Sequence, residues 1–207
     1  FATETQSTTT ATFVGGHAGP TTWYDKAAAG NETMGYFVGG TTTEPTHPGN
    51  TSPSNIDDTA QKIIFAQETL ANVPSAQLST KRAAQAATGN QTHGYFSGGF
   101  TYPGEKSTEI EKITYSTDTR ETLDGPELLS SGHGIAWQAG TGTNTAGYFQ
   151  GGWGPSLVSY CFKLVYATDT SSRFPGFYNN NTYGGWSPSP GGIMNRGAVS
   201  NDNSMYF

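Results

Sequence analysis

Of the 207 residues only one, Cys161, is a cysteine, so no internal disulfide can form and metal sites built from paired thiolates are excluded. Charge is scarce as well: 13% of the residues are Asp, Glu, Lys or Arg, and ten basic against sixteen acidic side chains leave a net charge of -6 with no Lys/Arg cluster. Tight binding to nucleic acid draws on counterion release by grouped cations, so neither DNA nor RNA is expected as a partner. No apolar run approaches the roughly twenty residues that span a bilayer, and membrane insertion is not expected either. Long stretches of helix formers are missing too. Only the segment around residues 77–87 comes near helical composition, and there Ala83-Ala84-Gln85-Ala86-Ala87 sits in a repeated context that predicts a strand.

What fills the chain instead is glycine, 28 positions and about twice the usual share, together with Thr, Ser and Asn. Such a composition predicts turn-rich β structure. It is also ordered by internal repetition. Gly35-Tyr36-Phe37-Val38-Gly39-Gly40 returns as Gly94-Tyr95-Phe96-Ser97-Gly98-Gly99 and as Gly147-Tyr148-Phe149-Gln150-Gly151-Gly152, and Met205-Tyr206-Phe207 begins a fourth copy. A second motif follows each complete one: Lys62-Ile63-Ile64-Phe65-Ala66-Gln67-Glu68-Thr69, then Lys112-Ile113-Thr114-Tyr115-Ser116-Thr117-Asp118-Thr119, then Lys163-Leu164-Val165-Tyr166-Ala167-Thr168-Asp169-Thr170. Its fourth copy opens the chain as Phe1-Ala2-Thr3-Glu4-Thr5. The copies are 64 residues apart from Phe1 to Phe65, 50 from Lys62 to Lys112 and 51 from Lys112 to Lys163. A small-residue element precedes each Tyr-Phe motif, at residues 27–31, 83–90, 134–143 and 197–201.

Each unit therefore predicts four strands in about fifty residues: a small-residue strand, a Tyr-Phe strand ending in Gly-Gly, a Lys-Ile-x-aromatic strand closed by an acidic Thr turn, and a weaker outer strand. Alternation around Ile110, Ile113, Thr114 and Tyr115 places apolar groups on both faces, as a sheet sandwiched between two others requires. Gly-Gly permits positive φ and close backbone approach where several sheets converge. In the turn, the oxygens of Thr-Asp-Thr are expected to bond nearby backbone NH groups and close the hairpin.

Tyr115 to Thr119 and Gly94 to Gly99 resemble the kelch type of propeller repeat, with its hydrophobic strand ending in Gly-Gly and its Tyr-Asp-x-x-Thr-like strand end. The resemblance covers nearly the whole chain. It implies an all-β fold, a β-propeller of four-stranded antiparallel blades set radially around a channel, often closed by strands from both termini. Residues 1–207 then form a single domain, with units at roughly 26–80, 81–131 and 132–194 and partial units at 1–25 and 195–207. The chain departs from the family in having no regular Trp after the Tyr strand. It also carries an additional Thr12-Phe13-Val14-Gly15-Gly16, read as an outer strand because Thr12 lies only 23 residues before Gly35. The register starts in a third strand and stops in a second, and the first residue is Phe1, not Met. We therefore expect either a processed product whose termini complete one unit, or an arc of a larger ring.

Catalytic chemistry finds little footing. His17, His47, His93 and His133 show no metal-ligand spacing and are expected in loops. Ser130-Ser131-Gly132-His133 places a Ser near a His in sequence only. Asp118 and Asp169, with Glu68 and Glu4 in the matching places, offer one carboxylate per turn, too few for calcium, so turn closure is the expected role. Cys161 aligns with Ile110 and Ala60 and reads as a small core residue. The copper-oxidase propellers need a Tyr-Cys cross-link and His ligands that this spacing does not supply. The triplets at Asn31, Asn50, Asn90 and Asn180 match glycosylation acceptors, a pattern that Asn-rich turns produce by chance.

The most individual region is 173–192, an insertion in which Phe177, Tyr178, Tyr183 and Trp186 alternate with Asn, Gly, Ser and Pro. Rings beside polar donors suit a sugar face or a protein interface, and these four are the candidate ligand-binding residues. The Thr/Asn/Gly richness, low Lys content and Gly-Tyr-Phe-x-Gly-Gly repeats are similar to propeller-repeat virion proteins of marine and cyanobacterial phages. That resemblance implies a non-enzymatic virion structural or host-recognition module (tail fibre, appendage or capsid surface), extracellular and without cofactor. Its partners would be other virion or surface proteins in an oligomeric assembly, or a host-surface glycan. A cellular kelch-like protein-binding adaptor and the propeller domain of a glycan-active or oxidase enzyme are the alternatives.

Overall fold

Each Tyr-Phe motif becomes the second strand of a four-stranded antiparallel sheet. The computed structural model describes residues 24–42, 55–123, 134–154, 158, 161–174, 199–200 and 205–206. The first sheet runs β1 (Ala27–Gly30), β2 (Met34–Val38), β3 (Ala60–Ile64), β4 (Thr69–Asn72), each strand paired with the next. The second repeats this order with β5 (Ala86–Gly89), β6 (His93–Ser97), β7 (Ile110–Thr114) and β8 (Thr119–Thr122). The third has β9 (Ala139–Gly142), β10 (Ala146–Gln150), β11 (Cys161–Val165) and β12 (Thr170–Phe174). A hairpin of β13 (Val199–Ser200) and β14 (Met205–Tyr206) follows. One short 3-10 turn, Pro74–Ala76, is the only helical element among the described residues.

Register repeats from sheet to sheet. Tyr36 faces Lys62, Tyr95 faces Lys112 and Tyr148 faces Lys163 across the second and third strands. Cys161 pairs with Gln150 as Ile110 pairs with Ser97 and Ala60 with Val38, so the alignment of these three residues holds. The third strands end one residue earlier than the motif suggests. Phe65, Tyr115 and Tyr166 open the turn instead of closing the strand.

Alternation on the middle sheet explains how the sheets stack. Phe96, Ile113 and Tyr115 pack with Tyr36 and Val38 of the first sheet and with Leu78, which follows the 3-10 turn. Tyr95 and Ile110 go the other way, against Ile135, Phe149, Phe162, Leu164 and Tyr166. A sheet with water on one face needs a single apolar side, whereas this one hides both. The fourth strands, β4, β8 and β12, are largely exposed, which accounts for their weak sequence signal.

The first strands lie side by side: β5 against β1 and β9, and β13 against β9. Close approach here depends on the paired glycines. Gly39, Gly40, Gly98, Gly99, Gly151 and Gly152 all have positive φ. In the first two pairs the second glycine donates its N–H to the following sheet: Gly40 to the Arg82 carbonyl and Gly99 to that of Ile135, each at 2.8 Å. A further left-handed residue recurs before each first strand, Asp25, Ala84 and Trp137, with φ of 53, 56 and 55°. Their backbones form a chain, Ala84 N–H to Asp25 O at 3.1 Å and Trp137 N–H to Ala84 O at 2.9 Å.

Candidate functional site

The acidic turns are where the sequence expectation changes most. Asp118 and Asp169 sit in the left-handed region, φ 56 and 50°, as does Glu68 at 50°. The turns carry their own hydroxyl bridge, Thr117 to Thr119 and Thr168 to Thr170, both 2.7 Å between oxygens. The carboxylates, expected to close these turns locally, reach back to the preceding sheet. Asp118 accepts from the Tyr36 hydroxyl and from Lys62 Nζ at 2.8 Å. Asp169 accepts from the Tyr95 hydroxyl at 3.0 Å and from Lys112 Nζ at 2.7 Å. The aromatic three residues before each Asp completes the contact. Tyr36 stacks on Tyr115 with ring centroids 5.3 Å apart, and Tyr95 on Tyr166 at 4.7 Å.

A clamp of one design therefore joins the first sheet to the second and the second to the third. Its donor half is a Tyr and a Lys on strands two and three; its acceptor half is an aromatic and an Asp on the next sheet's turn. Sequence reasoning found the acids but missed their partners. The signal was present in the three Lys that recur at one repeat position in a chain with only ten basic residues.

Electrostatics follow from this geometry. Burial pushes the Asp118 carboxyl up, but the hydrogen bonds from Lys62 and Tyr36 outweigh it, and the net shift is downward. Burial lowers Lys112 while its bonds to Asp169 and Glu121 raise it further, so the net shift is upward. A carboxyl with a lowered folded-state pKa contributes stability that is present above its ordinary value near 3.8 and lost as pH falls through the folded value. We therefore expect the thermal midpoint of Asp118→Asn to lie below that of the parent at pH 6, with the gap closing between pH 4 and pH 2. A gap constant over that range would show that the ion pair contributes nothing.

A second polar cluster is wholly internal. The Arg82 and Glu111 side chains both have 0% exposure and pair directly. Arg82 also donates to Ser107 Oγ at 2.9 Å, and Glu111 accepts the Ser79 N–H at 2.7 Å and lies 3.2 Å from Arg120 Nη1. At the Gly-Gly end, Phe100, Trp137 and Trp153 form a run of rings 5.2 and 5.9 Å apart, with Lys106 Nζ 4.2 Å over Trp153. Trp137 also hydrogen-bonds Asp25, whose carboxyl is pushed up by burial against that bond's opposing effect. An open groove between β8 and the turn before β12 is lined by Glu121, Leu123 and Asp169. Both of its carboxylates are already taken by Lys112, at 2.7 Å each.

The remaining candidates divide by position. His93 opens β6 instead of lying in a loop; it is half-buried, and burial lowers its pKa. Asn31 and Asn90 cap the β1–β2 and β5–β6 turns, each accepting from a Thr N–H two residues on at 2.9 Å. Cys161 is fully buried, which pushes its thiol up to about 12. A thiol in that state is a poor nucleophile. We expect iodoacetamide at pH 8 to leave the folded protein unmodified and to label it in urea; prompt labelling of the folded chain would contradict this burial. Phe177, Tyr178, Tyr183 and Trp186 lie outside the described residues, as do His17, His47, residues 130–133 and the segment 12–16.

Among the described residues no three His, Cys, Asp or Glu side chains are grouped to hold a metal, and no helix is long and apolar enough to cross a membrane. No protein-family model matches the chain, and no curated protein matches it. The functional reading therefore rests on this chain's own geometry.

Proposed function

We propose that the three sheets are blades of a kelch-like β-propeller and that the chain serves as a non-enzymatic structural or host-recognition module on the outside of a virion. The observation that carries this reading is the repeated Tyr–Lys–Asp clamp. It engages partly buried charged groups in joining one sheet to the next, which suits a rigid scaffold better than a reacting site. First strands lying against one another are what radial sheets around an axis need. On such a scaffold recognition falls to the connecting segments, and the aromatic-rich insertion containing Phe177, Tyr178, Tyr183 and Trp186 has the composition for a glycan or protein contact.

Immunogold labelling with an antibody raised against the chain tests the setting: the exterior of purified particles should be labelled, and label confined to the cell interior would overturn it in favour of an adaptor. The recognition surface is tested by host-cell binding of the fluorescently tagged chain, where replacing Tyr183 and Trp186 by Ala should weaken binding by about tenfold or more. Unchanged binding would remove the insertion from the recognition surface.

A further inference from the structure

The joint between the second and third sheets contains a histidine that the first joint lacks. Each Tyr-Phe strand opens two residues before its Tyr, with Met34 in β2, His93 in β6 and Ala146 in β10. Met34 packs against the core shared by the first and second sheets, and Ala146 is buried beside Tyr148 and Cys161. A titratable ring therefore stands where the neighbouring units place an apolar side chain. Strand alternation puts it on the face of β6 that carries Tyr95 towards the third sheet, and the two ring centroids are 6.2 Å apart.

Charged groups meet this ring from three elements. Across the β6–β7 ladder His93 pairs with Thr114 and Tyr95 with Lys112, so Lys112 lies diagonally from the imidazole on the same face. The Lys112 ammonium holds Glu121 of β8 and Asp169 of the third sheet's turn at 2.7 Å each, and the Tyr166 ring is stacked on Tyr95. Thr92 sets the tautomer. Its single hydroxyl proton goes to Asn90 Oδ1 at 2.9 Å, as that of Thr33 goes to Asn31, so in the 2.7 Å contact with His93 the ring Nδ1–H is the donor. Nε2 is then the nitrogen that takes up a proton.

We propose that His93 makes the joint between the second and third sheets acid-sensitive: protonation of its imidazole loosens this joint and leaves the first joint, with Met34 in the same place, closed. The proton adds a second cation beside Lys112 at a half-buried position. Burial disfavours the imidazolium most and Lys112 adds to that, while the attraction of Asp169 and Glu121 does not make up the difference, so the folded-state pKa lies below the ordinary 6.5. A histidine shifted in this direction contributes stability above its ordinary value, and the contribution is lost as pH falls from there through the folded value. The Asp118 carboxylate of the first joint, with an ordinary value near 3.8 and a folded one lower still, stays charged over that window.

Hydrogen exchange of the full chain, read by peptide mass spectrometry and corrected for the intrinsic effect of pH, compares the two joints in one sample. Between about pH 7.5 and about pH 5 the protection of residues 161–170 relative to residues 110–119 should fall by about threefold or more. In His93→Met, which installs the side chain that the first sheet carries at this place, the ratio should stay constant. Nuclear magnetic resonance of the unsubstituted chain gives an independent reading, in which the His93 imidazole should titrate with a midpoint below 6.5. A midpoint at or above that value, a constant ratio in the unsubstituted chain, or an equal fall in His93→Met would overturn the acid-sensitive joint.

Discussion

Replacing Arg82 by Ile should destabilise the protein by about 3–5 kcal/mol in urea unfolding followed by circular dichroism, the usual cost of leaving one partner of a buried ion pair without the other. Glu111 would keep Ser79 and Arg120 but lose the guanidinium that shares its interior position. Burial lowers the Arg82 pKa while Glu111 and Glu109 push it back up, so the buried guanidinium depends on its carboxylate partners. The third sheet indicates what the site would otherwise contain. The carbonyls of Arg82 and Ile135 accept equivalent glycine N–H groups, and Glu111 aligns with Phe162 of β11. The ion pair of one sheet is thus an apolar pair in the next. The double variant Arg82→Ile with Glu111→Phe should therefore cost at least 1 kcal/mol less than the sum of the two single changes, as pairs in direct contact do. Additive costs, or a single-variant loss under about 1 kcal/mol, would mean that the pair is not energetically coupled.

That exchange also shows why part of the molecule was legible from its sequence and part was not. Strand positions, the Gly-Gly breaks and the core role of Cys161 could be read because each is written locally and three times over. The two-faced burial of Ile110 and Ile113 followed from period-two spacing alone. The clamp was missed because its partners are distant in sequence: Lys62 lies 56 residues from Asp118 and Tyr36 lies 82 from it. Turn chemistry supplied a nearer use for an Asp beside two Thr, and in these turns the hydroxyls bridge each other while the carboxylates face the preceding sheet. Arg82 was hidden for another reason. It stands outside the motifs that repeat, so self-similarity passed over it, and a lone Arg beside Lys81 reads as surface. A charged residue at a position that is apolar in the neighbouring unit is the sign that should have been followed.

Gly98→Ala should be about as damaging as the loss of Arg82, although it adds only one methyl group. At φ 65° an L-residue costs roughly 1–2 kcal/mol, and a new Cβ would overlap the carbonyl oxygen of Ile135. That oxygen cannot simply move aside, since it accepts the Gly99 N–H at 2.8 Å in the bond that joins the second sheet to the third. Overpacking at a fixed backbone adds about 1–3 kcal/mol, giving about 2–5 kcal/mol in total. Gly35, in β2, provides the contrast. A Cβ there would meet only side-chain atoms, Ile63 Cγ2 at 3.3 Å and Phe65 Cζ at 3.4 Å, and no positive φ is involved. Phe65 is half exposed and free to give way, so Gly35→Ala should cost less than about 1 kcal/mol. Chemical denaturation of both variants separates backbone convergence from mere conservation of a repeat motif. Equal losses would mean that the glycine pairs do not set the distance between sheets. A large difference would tie that distance to the Gly-Gly ends, where the backbone leaves no room for any side chain.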